Sequence, residues 1–260
     1  MEQEIIKRTE GVLAEVYKDA VSPSIKPIGT MLSYLPRTIR LAFCRWEKWI
    51  VNGEESLLLT GELLKKKIEK IPEGKICEPE PYVAIPAIQQ LSYCENSDEL
   101  RDLYANLLAS SMNIDTKWNV HPSFVDIIKQ LNPDEAKLIK SLPPNIMITH
   151  PLINVKLIKK EQRGGYGLIS NFTNVGLDKI ENKNNICSYI ENLERLKLIE
   201  IPPLATLTDE NVYNSLKENP ILKRSIDVKL IEIFQIGYDY KAFKMTNFGV
   251  AFVQTCCREK

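Results

Sequence analysis

The hydrophobic period of this chain changes near residue 145, and that change constrains its fold more than any other feature. Between residues 96 and 142 apolar side chains recur every three or four positions, the spacing of helices packed on one face. Residues 146–157 and 167–175 instead carry β-branched runs of strand character, separated by the turn signal Gly164-Gly165-Tyr166-Gly167. Helical spacing returns over 185–198, with Ile186, Tyr189, Ile190, Leu193, Leu196 and Leu198. Blocks of helix followed by strands mixed with helix predict a mainly α protein with a smaller α+β part.

The N-terminal region reads as helices. Residues 2–21 are partly periodic and end at Pro23. Over 28–51, Leu32, Leu35, Ile39, Phe43, Trp46 and Ile50 alternate with Arg37, Arg40, Arg45 and Lys48, an amphipathic helix bent at Pro36. Residues 54–70 form another, with Leu57, Leu58, Leu64 and Ile68 opposing Lys65, Lys66 and Lys67. Residues 71–82, with Pro72, Gly74, Pro79 and Pro81, read as an extended connector. Asn96 is the expected cap of a helix striped by Leu100, Leu103, Tyr104, Leu107, Leu108 and Met112. His121-Pro122 precedes a helix with Phe124, Ile127, Ile128 and Leu131 on one side. Asn132-Pro133-Asp134-Glu135 starts the next, which Pro143-Pro144 stops.

Further on, Leu198-Ile199-Glu200-Ile201 predicts a short strand, and a polar insertion holds a helix candidate at 209–218. Residues 228–236 and 242–245, around Gly237 and Asp239, read as a hairpin, and Thr246 caps a last helix.

Two resemblances follow from particular words. Asn192-Leu193-Glu194-Arg195-Leu196-Lys197-Leu198-Ile199 and Lys244-Met245-Thr246-Asn247-Phe248-Gly249 resemble the L-x-R-L-G-L-I and L-T-x-x-G phrases of small winged-helix regulators. Here Lys197 stands for the usual Gly and Met245 for the usual Leu. With the helical periodicity before it, the resemblance implies a division into an α-helical region over 1–131 and a winged-helix-like α+β domain over 132–260. The second set of words is Pro81-Tyr82-Val83-Ala84-Ile85-Pro86, the run from Glu99 to Met112 around Tyr104-Ala105-Asn106-Leu107-Leu108, and the run from His121 to Ala136. These resemble the Abi-alpha family, a bacterial domain of unknown function associated with abortive infection. That likeness implies a part in phage defence and names no reaction.

Composition narrows the function classes. Lys+Arg and Asp+Glu each total 34, so the chain lacks the overall basic character of many nucleic-acid proteins, although a local patch is compatible with this balance. Cys44, Cys77, Cys94, Cys187, Cys256 and Cys257 contain no C-x-x-C pair, and His121 and His150 are the only imidazoles, so no metal or other cofactor is expected. Met1-Glu2-Gln3-Glu4 starts no leader, and free thiols point to the cytoplasm. No phosphate loop, zinc-protease helix or nucleophile elbow is present, and neither histidine has a paired nucleophile. A non-enzymatic protein is the expectation.

Four places carry candidate function. Lys159, Lys160 and Arg163 flank the glycine turn and suit contact with a phosphate backbone. Asn185, Ser188, Asn192 and Arg195 lie on the outward side of the presumptive recognition helix, whose Glu191 and Glu194 disfavour phosphate and suit docking to a protein. Asn106 falls off the apolar stripe and is free to meet a partner. Arg37, Arg40, Phe43, Trp46 and Trp49 give residues 28–51 the character of an interfacial membrane helix, or of an ordinary bundle helix with cations along its flanks. Asp98, Glu99 and Asp102 read as a favourably charged helix start and not as a metal site. The expected partner is a protein or a nucleic acid. A homodimer and a membrane surface are the other partners considered, the latter as the route of a membrane-perturbing effector.

Overall fold

The computed structural model of the chain describes residues 54–258, apart from 92–93, 95–96, 161–163 and 227–232. Arg37, Arg40, Phe43, Trp46, Trp49 and Arg163 therefore lie outside the described residues, as do the helices expected at 2–21 and 28–51.

Five helices come first: α1 (Glu54–Ile68), α2 (Pro81–Leu91), α3 (Asp98–Ser111), α4 (Ser123–Lys129) and α5 (Pro133–Ser141). The connector expected over 71–82 ends two residues early, because Pro81 opens α2. Proline suits a first helical position, where its missing N–H costs nothing, and α2 also tolerates Pro86 inside it. The cap of α3 is Ser97, not Asn96: the Ser97 hydroxyl accepts from the Leu100 N–H at 3.3 Å. Asn132 and Glu135 form the full reciprocal capping box of α5, at 2.8 Å each way.

Helix α3 is the axis of this half. It packs against α1, α2, α4 and α5, so its apolar stripe is buried apart from the half-buried Leu100, and most of the rest of its surface is too. Asn106 is only 3% exposed, which corrects the expectation that it meets a partner. Its amide donates to the Cys256 carbonyl at 3.0 Å, and Ser110, one turn on, donates to the Thr255 carbonyl at 2.8 Å. These bonds dock the C-terminal end on α3. That end consists of α9 (Asn247–Phe252), numbered after the elements described next, and a π-helical turn (Val253–Cys257).

The second half holds β1 (Thr149–Lys159), β2 (Gly165–Phe172), α6 (Ile186–Arg195), β3 (Ile199–Glu200), α7 (Asn211–Lys217), α8 (Pro220–Arg224) and β4 (Phe234–Met245). The sheet is antiparallel with order β2-β1-β4-β3, which gives an α+β class. The hairpin expected around Gly237 and Asp239 is instead one continuous strand. β4 pairs with β1 from Thr149↔Lys244 to Lys159↔Phe234. Asp239 sits opposite Asn154 in that ladder and its carboxylate pairs with Lys156. Gly237 gives room and not a turn: a Cβ there would stand 2.6 Å from the Ile158 side chain.

Buried residues from Leu64 to Cys256 form one apolar cluster that crosses residue 131. The polar insertion is part of the packing. Tyr213 of α7 is fully buried, donates to the Lys241 carbonyl at 3.0 Å and stacks on Tyr240 with centroids 4.5 Å apart. Thr246 caps α9 as expected, accepting from the Gly249 N–H at 2.8 Å.

Candidate functional site

One end of the sheet is built by β1, β2 and β4. Register places Leu157 opposite Tyr166, Ile158 opposite Gly165 and Lys159 opposite Phe234. Side chains alternate along a strand, so Lys159, Tyr166 and Phe234 share one face. The Lys159 amino group lies 5.6 Å above the Tyr166 ring, which meets Phe234 edge-on at 6.1 Å. Tyr166 is 56% exposed, and Lys160, next to Lys159 in sequence, is exposed. Gly165 permits this close turn, since a Cβ there would stand 2.5 Å from the Leu157 carbonyl oxygen. A cation over an exposed aromatic face, with a second ring at its edge, can hold an anionic group and stack a planar one.

The structure thus brings Lys159 together with two aromatics that no sequence pattern marks as a site, Tyr166 and Phe234. In the sequence Tyr166 stands within the glycine turn signal and Phe234 within an apolar run. Their meeting depends on the pairing of β1 with β4, which no local pattern announces.

Helix α6 is positioned by a different chemistry. Its apolar face, Ile186, Tyr189, Ile190 and Leu193, is buried. The Asp134 carboxylate accepts from the Glu181 N–H at 2.9 Å, the Asn182 N–H at 2.8 Å and the Tyr189 hydroxyl at 3.2 Å. Burial opposes ionisation of Asp134, but those donors outweigh it and hold its carboxyl below the usual value. Asn192 donates to the Gln130 carbonyl at 3.1 Å and to Glu135 at 2.9 Å, and Arg195 donates to the Gln130 side chain at 3.0 Å and to Asn192. Burial pushes the Glu135 carboxyl up, even though Asn132 and Asn192 donate to it. Two of the four predicted contact residues on α6 therefore tie the helix to its own neighbours. Asn185 and Ser188 stay exposed at its start, with the Ser188 hydroxyl bonded back to the Asn185 carbonyl at 2.8 Å.

The acidic trio is likewise committed. Asp98 pairs with Arg101, Glu99 with Lys137 at 3.3 Å, and Asp102 with both Lys67 and Lys140 at 2.6 Å. Lys67, expected on the solvent side of α1, is 7% exposed for this reason. Among the described residues no three His, Cys, Asp or Glu side chains gather in a metal-binding cluster. His121 accepts from the Ser123 N–H at 3.2 Å at the start of α4. His150 lies in β1 against Phe243, centroids 5.1 Å apart, and burial pushes its imidazole pKa down. Burial pushes the thiols of Cys94 and Cys187 up to about 11 and that of Cys257 to about 12, which disfavours their thiolates. Among the described residues no helix is long and apolar enough to cross a membrane.

Comparison with known proteins adds three findings. The family model Abi_alpha, described as Abortive infection alpha, matches residues 53–256. No curated protein matches the chain. Among solved structures the chain is similar to an uncharacterized protein from the hydrocarbon-degrading marine bacterium Alcanivorax borkumensis SK2, at 15% identity and a TM-score of 0.36, over 52% of this chain and 92% of that one.

Proposed function

The chain belongs to the Abortive infection alpha family, and from that premise we propose that it serves a bacterial phage-defence system without catalysis, by contacting nucleic acid through the outer end of β1, β2 and β4. One observation carries the reading: the Lys159 cation stands over the exposed Tyr166 ring, which meets Phe234 edge-on, and the next residue, Lys160, is exposed. Lysines supply sequence-independent attraction to phosphate, and the rings supply a surface for bases. The thiol chemistry suits a cytoplasmic site of action.

The region from 132 onward acts in this proposal as a winged-helix-like unit enlarged by β2. Two features support that reading. With β2 set aside, the order β1-β4-β3 places the first strand beside the last, with the short strand after α6 at the edge. Lys197, where winged-helix regulators usually carry glycine, has φ 59°, the left-handed conformation glycine favours. The Leu198 N–H bonds to the Leu193 carbonyl and the Lys197 N–H to the Glu194 carbonyl, at 3.0 and 2.9 Å, closing α6 as such a glycine would. Because Asn192 and Arg195 are engaged internally, the strand end and not α6 carries the contact.

The test is binding of fluorescent duplex and single-stranded oligonucleotides by the purified protein at low and moderate salt, with Lys159, Lys160 and Arg163 changed to Glu in parallel. The proposal expects salt-sensitive binding that the triple change abolishes. Absent or salt-insensitive binding refutes it.

A further inference from the structure

Tyr166 stands on β2 between Gly165 and Gly167, so neither neighbour in the chain carries a side chain beside its ring. Among the described residues, a Cβ at Gly164 or Gly167 would meet nothing within 4 Å. Glycines in a strand often mark a place where a ligand approaches the backbone closely. Lys159 stands 5.6 Å over the ring, yet 56% of Tyr166 is exposed, which leaves room for a planar group on it. The Phe234 ring lies at 84° to Tyr166, so the two rings cannot both stack on parallel bases. The arrangement is one stacking platform with an aromatic wall at its edge.

Helix α6 supplies the contrast. A duplex reader presents Asn, Gln, Arg or Lys to base edges in a groove. Here Asn192 donates to the Gln130 carbonyl and to Glu135, and Arg195 donates to Gln130 and Asn192. Glu191, exposed on the same helix, repels phosphate. A paired base has both its faces covered by neighbours in the stack, so a tyrosine ring stacks on a base only where the strand is unpaired.

Resting on the nucleic-acid reading above, we propose that the site takes a single-stranded nucleic acid by one unpaired base, which stacks on Tyr166 beside Phe234 while Lys159 meets a neighbouring phosphate. Every base has a π-face, so a stacking platform selects strandedness and not sequence. A closed duplex offers this site its phosphates alone, and those draw only the lysine charge. DNA and RNA share the chemistry that the site reads, an unpaired base on a phosphodiester chain.

The experiment uses the full chain and fluorescent probes read by anisotropy at low and moderate salt. The probes are a thymine single strand of DNA, the uracil strand of RNA, an abasic strand of the same length, and a duplex whose two ends are closed by linkers so that no base face is free. At least one of the two base-bearing strands should bind about tenfold or more tighter than the abasic strand and the closed duplex, the worth of one stacked base. Tyr166→Leu should remove that margin and leave abasic and duplex binding unchanged, while Tyr166→Phe, which keeps the ring, should retain it. Both changes fall at an exposed position, and unaltered thermal unfolding verifies that the variants fold. Binding of the abasic strand or the closed duplex equal to that of the single strands overturns the proposal, as does a margin that survives Tyr166→Leu. Loss of the margin in Tyr166→Phe assigns it to the hydroxyl and overturns stacking. Where binding in these cases is still salt-sensitive and lost on changing the lysines, the contact with phosphate stands and only the unpaired base is refuted. Absence of binding to every probe refutes both.

Discussion

Replacing Asp102 by Asn should destabilise the fold far more than a surface carboxylate warrants. Asp102 holds two ammonium groups at 2.6 Å, from Lys67 of α1 and Lys140 of α5, and so joins three helices. The Lys67 side chain is 7% exposed, against 29% for Asp102 and 26% for Lys140. Removing one partner of a buried ion pair costs about 3–5 kcal/mol, because the other charge stays buried without compensation. Partial exposure on the Asp102 and Lys140 side admits water, so the working figure is about 2–4 kcal/mol, a large share of a typical 5–15 kcal/mol total. For a domain of this size that corresponds to a fall in Tm of about 4–16 °C. Denaturant unfolding followed by circular dichroism measures it. The double variant Asp102→Asn with Lys67→Met should recover much of the loss, because the stranded charge is gone, with a coupling of about 1 kcal/mol or more.

Acid adds a second readout for the same residue. Burial raises the cost of the Asp102 charge, but hydrogen bonds from Lys140 and Lys67 outweigh it and hold its carboxyl below 3.8. The unfolded chain therefore binds the proton first. The stability from this group is complete above about 3.8 and is lost as pH falls through the lower folded value. Asp102→Asn should flatten that part of the acid limb. A loss below about 0.5 kcal/mol, typical of surface changes, or additive single and double variants, would refute the argument.

Asn106→Ala leaves the Cys256 carbonyl without its buried donor, so a loss of about 1–3 kcal/mol and earlier hydrogen exchange in the C-terminal turn are expected; unchanged exchange there would contradict the docking described for α3. Lys197→Gly should raise stability by about 0.5–1 kcal/mol, since glycine accepts the φ of 59° without strain, and thermal unfolding decides it. His150 has a buried Nε2 with no hydrogen-bond partner among the described residues, and burial lowers its pKa below 6.5, so the unfolded chain takes up this proton first and stability falls as pH drops below that value. His150→Phe, which keeps the ring beside Phe243, should shrink the stability difference between pH 7 and pH 5; equal differences in both proteins would remove His150 as its source.

Much of the local architecture was legible because it depends on neighbours in sequence. Asn132 and Thr246 announce helix starts through bonds to residues three positions on, and the glycine turn announces the β1–β2 hairpin. The reading failed where composition imitates a breaker. Pro81 and Pro86 disguised α2, and Gly237 disguised the middle of β4, because the same residues that end elements also open helices and make room in sheets.

The sequence by itself determined the family and several helix starts, since capping and periodicity act within a few residues, but it left α2 and the continuity of β4 unread. Only the tertiary structure decided what the polar side chains do. Asn106 bonds across 150 residues of chain, Asn192 across 62 and Asp102 to a lysine 38 away. The pairing of β1 with β4 likewise sets Lys159, Tyr166 and Phe234 together from separate stretches. A periodic pattern states that a face is buried. Which polar group satisfies which buried partner depends on distances that arise only after the chain has folded.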